Sequence, residues 1–405
     1  MDPVPSTQRG SATLYLFPVL GVRMRYITPS FQSYEWGSKD FIQKLLNIPK
    51  TEILAEAWYG AHPKAPSTID GVSLEVLLQD DPSYWLGPRL TSLPYLMKIL
   101  AAEQALSIQV HPDAKQATEG FSRENREDIP IDSPLRNYRD PHHKPELILA
   151  LTDFYALCGF RAYEEMRSIF LLYKIDSFFA NFAAFNRNPD SQHFLDLYNE
   201  ILSRQPLPEL MEHILQLSPI KPYAQELIWA RKLIEEHPTD RSVISPFIMN
   251  LVTLRPDQAM YLDAGIVHAY LHGAGIEIMT ASDNVLRAGL TQKHIDVPEL
   301  MKVLRPGPYS PKLITDTLLR DSWHRMPIAV RDFALWKIDL VHETALPKID
   351  GAKIILCLRG NATLRSQNQS LPINRGESVI IPHSQSETTA IGKALLIMAT
   401  VGSNS

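Results

Sequence analysis

Between about Ala162 and His237 the chain keeps a rhythm that its flanks lack. AYEEMRSIFLLYK, QHFLDLYNEILSR, LPELMEHILQL and AQELIWARKLIEEH carry apolar residues three and four apart, the spacing of one helix face. Prolines 206, 208, 219 and 222 separate these segments, and Pro238 ends the last. On either side the texture is that of strands. From Arg25 to about Arg161 short alternating apolar runs are broken by turn residues, with room for a few helices, and FIMNLVTLRPDQAMYLDAGIVHAYLHGAGIEIM resumes the pattern afterwards. From about Ala329, FALWKIDLV, KIILCLRGNATLR, QSLPIN, RGESVIIP and KALLIMATV form evenly spaced strand runs, the mark of a sandwich or jelly roll.

The predicted fold is therefore mainly β with a helical insertion. Residues 24–160 and 246–318 make one discontinuous β domain, 161–245 a helical domain and 319–405 a C-terminal jelly roll, which suits a chain of 405 residues at roughly 150 per domain. Residues 1–23 stand apart. Arg9 followed by LYLFPVLGV imitates the basic and apolar parts of a signal peptide, but no small-x-small cleavage site follows. The expectation is a disordered or surface-docked extension, or a start assigned upstream of Met24.

Charge narrows the partners. Lys+Arg 40 against Asp+Glu 45 gives −5, with no long basic run, so nucleic acid is excluded as an expected partner. No apolar run approaches the roughly 20 residues of a membrane span. Cys158 and Cys357, the 2 cysteines, lie far apart in apolar contexts, which predicts core residues in a reducing cytoplasm rather than a disulfide framework.

Four clusters carry candidate chemistry. In Ser107-Ile108-Gln109-Val110-His111, read as a strand, Gln109 and His111 project together while Ile108 and Val110 enter the core. Such a pair can grip a metal, though taken alone a half-solvated strand face is the plainer account. Asp140-Pro141-His142-His143-Lys144-Pro145-Glu146 concentrates ligands and acid–base groups where a loop enters the strand LILAL; a polar surface turn is the plainer account. His268 and His272 lie four apart, but flanking glycines favour a strand on which 266, 268, 270 and 272 share a face, and H-E-x-x-H is absent. In Ser282–Lys293 an arginine, Arg287, lies near a carboxylate in sequence; it either clamps an oxyanion or phosphate or serves a structural ion pair. P-loop, G-x-G-x-x-G and G-x-S-x-G motifs are all missing.

Together these segments resemble the class I mannose-6-phosphate isomerases, zinc enzymes of sugar phosphate metabolism. The resemblance runs through FQSYEWGS (31–38), AEAWYGAHPKAPS (55–67), LPYLMKIL (93–100), SIQVHPD (107–113), GFSRENRED (120–128), NYRDPHHKPELILAL (137–151), HAYLHG (268–273) and SDNVLRAGLTQKHID (282–296). Beyond about residue 320 only the strand rhythm matches. The resemblance implies one Zn²⁺ held by Gln109, His111, Glu146 and His268, a borderline N/O donor set suited to that ion. It further implies an active-site Arg287 and substrate or proton-transfer roles among Lys98, Ser107, His143, Lys144, Glu277, Asp283 and Lys293, with Trp36 and Glu56 nearby. The implied fold is a cupin-type catalytic domain, an all-α domain and a C-terminal jelly roll. The chain departs from the family in its extension before Met24, in Gln292 where a proline is usual, and in the extra His272.

The implied reaction interconverts mannose 6-phosphate and fructose 6-phosphate by moving a proton between C2 and C1, so an enediolate must be stabilised. The metal and Arg287 are expected to meet the developing charge. Lys144 and His143 lead as the base, ahead of Glu277 and Asp283. Two rivals stand beside this: a cupin iron oxygenase, since two His and a Glu also form the facial triad, and a silent sugar-binding cupin. The expected partner is a small sugar phosphate, without nucleic acid or membrane, bound by a cytoplasmic monomer.

Overall fold

The computed structural model describes residues 23–402 apart from 51, 204, 316, 321 and 386, and the reading of residues 1–22 as an extension lies outside them. Strand accounts for 32% of the chain against 27% helix, so the mainly β class holds. Two large antiparallel sheets dominate. The first orders its strands as Leu313–Ile314, Ala259–Leu262, Glu146–Ala150, His268–Thr280, Tyr95–Ala102, Glu56–Tyr59 and Ser30–Gln32. The second, C-terminal sheet centres on Lys353–Ser366 and Thr389–Thr400, and Arg25–Tyr26 joins its edge beside Ser378–Ile381.

His268–Thr280 serves two walls. Its second half, from Gly273, runs between Tyr95–Ala102 and Glu146–Ala150, while its first half pairs with Phe154–Phe160 and, at His268, with Gln109. The change of wall comes at Gly273, whose φ of +120° favours glycine and where a Cβ would stand 2.6 Å from the Asp153 carbonyl oxygen. The ladder shifts register between Tyr270 and His272, so His272 leaves the face of His268 and lines a separate cavity with Ser38 and Tyr155.

Alternation decides what each sheet face meets. Along Tyr95–Ala102, Tyr95, Met97, Ile99 and Ala101 enter a core shared with Leu335, Ile354, Leu356 and Ile397 of the C-terminal sheet, so the two sheets pack face to face. Tyr95 crosses that core, its hydroxyl donating to the carbonyls of Ala352 and Ala399 at 3.0 and 3.1 Å. Leu96, Lys98 and Leu100 point the other way. The same phase turns Glu56 and Trp58, Glu146, and Glu277 and Met279 of the adjoining strands to the face that carries Lys98.

The helical rhythm appears as Tyr163–Leu172, Phe182–Arg187, Ser191–Ile201, Pro208–Gln216 and Ala224–Glu236. Their apolar faces share one core with Val110, Leu157, Phe160, Leu286 and Ala288 of the smaller wall. Among the described residues no helix is long and apolar enough to cross a membrane. Cys158 and Cys357 are free and buried.

Candidate metal centre and active site

The strand Ile108–Val110 buries Ile108 and Val110 and leaves Gln109 facing a cavity of about 860 Å³. His111 follows it, then Pro112 and Asp113, which starts the helix Ala114–Arg126 with a reciprocal capping box to Gln116. The His111 backbone is thereby fixed from both sides. Glu146 opens the strand Glu146–Ala150 and His268 opens His268–Thr280.

One potential ligand atom from each of His111, Glu146 and His268 lies within 4.8 Å of the others, and all three residues are buried. His111 Nδ1 donates to the Asn284 carbonyl at 2.8 Å and His268 Nδ1 to the Ile266 carbonyl at 2.9 Å, which turns both Nε2 atoms inward. These stand 3.3 and 3.4 Å from the two Glu146 carboxylate oxygens. His111 Nε2 nevertheless makes no hydrogen bond. Burial, reinforced by Lys144, pushes the His111 pKa down to about 4, so its imidazole is neutral at pH 7. An orphaned, buried, neutral imidazole nitrogen beside a carboxylate and a second imidazole fits a divalent transition metal ion. Gln109 pairs in register with His268 on one side and Arg287 on the other; its amide nitrogen donates to Ser107 Oγ at 3.1 Å, leaving its oxygen to meet a ligand.

Next to this group lies a buried charge cluster. Lys98 Nζ stands 2.9 Å from Glu277 Oε2 and 3.6 Å from Glu56 Oε1, and 5.2 Å from the centre of the Trp58 ring. Burial opposes the Lys98 charge, but Glu277 and Glu56 hold the ammonium above its usual range. Burial raises the Glu277 pKa, with Glu146 and Glu56 repelling its negative form and Lys98 opposing the rise. Lys144 Nζ lies 3.1 Å from Glu146 Oε1. Although burial works against it, Lys144 and His111 keep the Glu146 carboxyl well below the usual range. Trp36 lines the cavity with Tyr34 stacked on it at 5.6 Å.

Arg287 and Lys293 also line the cavity. Burial lowers both pKa values, and mutual repulsion with Arg139 lowers them further. The expected carboxylate neighbour of Arg287 is not there. Asp283 precedes the strand Leu286–Gly289 and turns away to Lys64 Nζ at 2.6 Å and His62 Nε2 at 3.4 Å, and these hold its carboxyl below the usual range despite burial. Among the described residues no carboxylate pairs with Arg287.

His143 departs from expectation as well. Its Nε2 lies 2.6 Å from Asp332 Oδ2, outside the cavity lining, because it and Lys144 leave the chain on opposite sides and only Lys144 turns inward. The Asp332 contact raises the His143 pKa. Sequence reasoning also missed the far wall, where Lys232, Glu235, Glu236 and His237 end the helix Ala224–Glu236. Glu236 accepts the Ala105 N–H at 3.0 Å, anchoring the loop ahead of Ser107; the charged run before Pro238 was the available signal. Asn284, fully buried, clamps the loop before Glu146. Its Oδ1 accepts the Arg139 and Asp140 N–H groups at 2.7 and 3.2 Å, and its Nδ2 donates to the Asp140 and His142 carbonyls, each at 2.8 Å.

The family model described as phosphomannose isomerase type I, catalytic domain, matches residues 24–163, and that of the mannose-6-phosphate isomerase cupin domain matches 324–401. The mannose-6-phosphate isomerase of Escherichia coli K12 is 37% identical over 386 residues, covering 92% of this chain and 98% of that protein. That of Salmonella typhimurium is 38% identical over 389 residues, with the same coverage of 92% and 98%. A crystal structure of zinc-bound mannose 6-phosphate isomerase superposes with a TM-score of 0.87 at 35% identity, covering 94% of this chain and 100% of that one.

Proposed function

The chain belongs to the type I phosphomannose isomerases, and from that membership we infer that it interconverts D-mannose 6-phosphate and D-fructose 6-phosphate. The observation that carries the reading is the buried set of His111, Glu146 and His268 opening on a cavity with a guanidinium that no carboxylate among the described residues pairs with. Zinc is the cofactor, and His111, Glu146 and His268, with the Gln109 amide oxygen, would hold it; bound there it would supply Lewis-acid stabilisation of charge on a sugar oxygen.

The chain's own groups do the rest. Moving a proton between C1 and C2 leaves negative charge on the sugar's O1/O2 edge. Arg287, one strand away from His268 across Gln109, faces that charge with a guanidinium that pairs with no carboxylate among the described residues. Lys144 and Glu277 form the proton relay. Both flank Glu146 in the cavity, and a carboxyl raised by burial exchanges protons nearer neutrality than a solvated one. Lys98 holds one Glu277 oxygen and so fixes which way the other faces. Asp283, bound to His62 and Lys64, stays ionised and orients that corner of the cavity. Arg139 and Lys293 extend the positive wall beyond Arg287, where a dianionic phosphate is attracted.

Two free, buried cysteines support a cytoplasmic protein. The test is a coupled assay that follows fructose 6-phosphate formed from mannose 6-phosphate by the zinc-loaded chain. Turnover at ordinary enzymatic rates supports the reading, and no product at any protein concentration refutes it.

A further inference from the structure

The segment from Asp140 to Pro145, which delivers Lys144 to the cavity, has no regular secondary structure and is held in place by tethers. Several come from its own domain, among them the Ser282 hydroxyl and the Asp283 N–H, which donate to the two Asp140 carboxylate oxygens at 2.8 Å each. Asn284 Nδ2 donates to the Asp140 and His142 carbonyls at 2.8 Å, and the Thr280 N–H donates to the Pro145 carbonyl at 3.2 Å. The one that takes the His143 side chain comes from the bend ahead of the strand Ala334–Leu340. Asp332 Oδ2 takes His143 Nε2 at 2.6 Å and the Thr280 hydroxyl at 3.1 Å, so one carboxylate oxygen ties the loop to the end of the strand His268–Thr280.

Asp332 is itself well placed to hold position. The next residue, Phe333, is fully buried in the core between the two sheets, among residues that include Leu147 and Ile278. That core docks the sheets by apolar area, and the His143–Asp332 pair lies at its edge with both side chains partly exposed, at 39% and 25%. A pair so placed adds little to docking. Its position along the chain is what matters: the residue after His143 is Lys144, whose Nζ enters the cavity 3.1 Å from Glu146 Oε1.

We propose that Asp332, in the bend that leads into the C-terminal sheet at Ala334–Leu340, is a positioning residue for the isomerisation, holding His143 so that the Lys144 ammonium is fixed beside Glu146. This rests on the reading of Lys144 as part of the proton relay. It gives the C-terminal jelly roll a part in turnover, although none of its described residues lines the cavity.

The experiment uses the full zinc-loaded chain and compares Asp332→Ala, Asp332→Asn, His143→Ala, Lys144→Ala and the Asp332→Ala/His143→Ala double variant. Asp332→Ala is expected to lower kcat about 10- to 100-fold, the scale of a small misplacement of a reacting group, with KM, zinc content and Tm close to wild type. Asp332→Asn keeps an acceptor oxygen for both donors and recovers most of the rate. The double variant is no slower than His143→Ala alone, because both act through one contact. A normal kcat in Asp332→Ala beside a slow Lys144→Ala overturns the positioning role and leaves the relay standing. A normal kcat in Lys144→Ala overturns both. Additive losses in the double variant, or a rate loss matched by loss of zinc or of Tm, likewise overturn the proposal.

Discussion

Replacing Arg287 separates function from stability by sign. An arginine half-buried against a carboxylate costs fold stability when it is removed, along with whatever else it does. Here the charged neighbours acting on Arg287 are cations: its pKa is lowered by burial and by Arg139, and it lowers that of Lys293 in turn. The guanidinium is thus held at some cost to the fold, and its charge is available to a ligand. Arg287→Ala removes a preorganised donor facing the developing oxyanion, which is worth roughly 10²–10³ in turnover, or about 3–4 kcal/mol. Arg287→Met loses the same interaction but keeps the packing of the alkyl stem. Arg287→Lys keeps the charge without the planar fork and falls between. Initial rates of fructose 6-phosphate formation on zinc-saturated protein, read beside thermal melts, give both axes. The expected pattern is a collapse of kcat in Arg287→Met with a Tm equal to or above wild type. A rate within about 3-fold of wild type, or a Tm loss that tracks the rate loss, would refute the reasoning.

Two further outcomes follow from the buried charges. His111 has its pKa lowered from 6.5 to about 4 by burial and then by Lys144, so the unfolded chain binds this proton where the folded one does not. Its contribution to stability is therefore complete above pH 6.5 and lost as pH falls toward 4, and melts of metal-free protein should show Tm dropping through that window, less steeply in His111→Gln; equal slopes would contradict it. Lys98→Met strands Glu277 and Glu56 without their cation, which should cost about 3–5 kcal/mol by denaturant unfolding at neutral pH and less on acidification; a loss under about 1 kcal/mol would mean that the carboxylates find other partners.

Much of the architecture is legible in periodicity. The helix-face spacing from 162 to 237 is unmistakable because no strand could bury residues three and four apart. Tyr95–Ala102 is a continuous apolar run broken only by Lys98, as expected of a strand buried on both faces. Phase between distant strands is a different matter. Nothing local says that Lys98 meets Glu277, 179 residues away, or that Asp283 turns to His62 and Lys64 rather than to its sequence neighbour Arg287. Which of His143 and Lys144 enters the cavity depends on how one sheet sits against the other, and Asp332, which settles it, lies where only strand rhythm can be read. The bulge at Tyr270/His272 hides similarly: strict alternation puts His272 on the face of His268, and one register shift removes it.

Titrating metal-free protein with zinc while following the conversion of mannose 6-phosphate to fructose 6-phosphate tests the central claim most directly. Turnover should rise in proportion to bound zinc and level off at one ion per chain, and His111→Ala and Glu146→Ala should neither retain that zinc nor turn over. Full turnover in protein stripped of metal, or a plateau reached with all three of His111, Glu146 and His268 replaced, would contradict it.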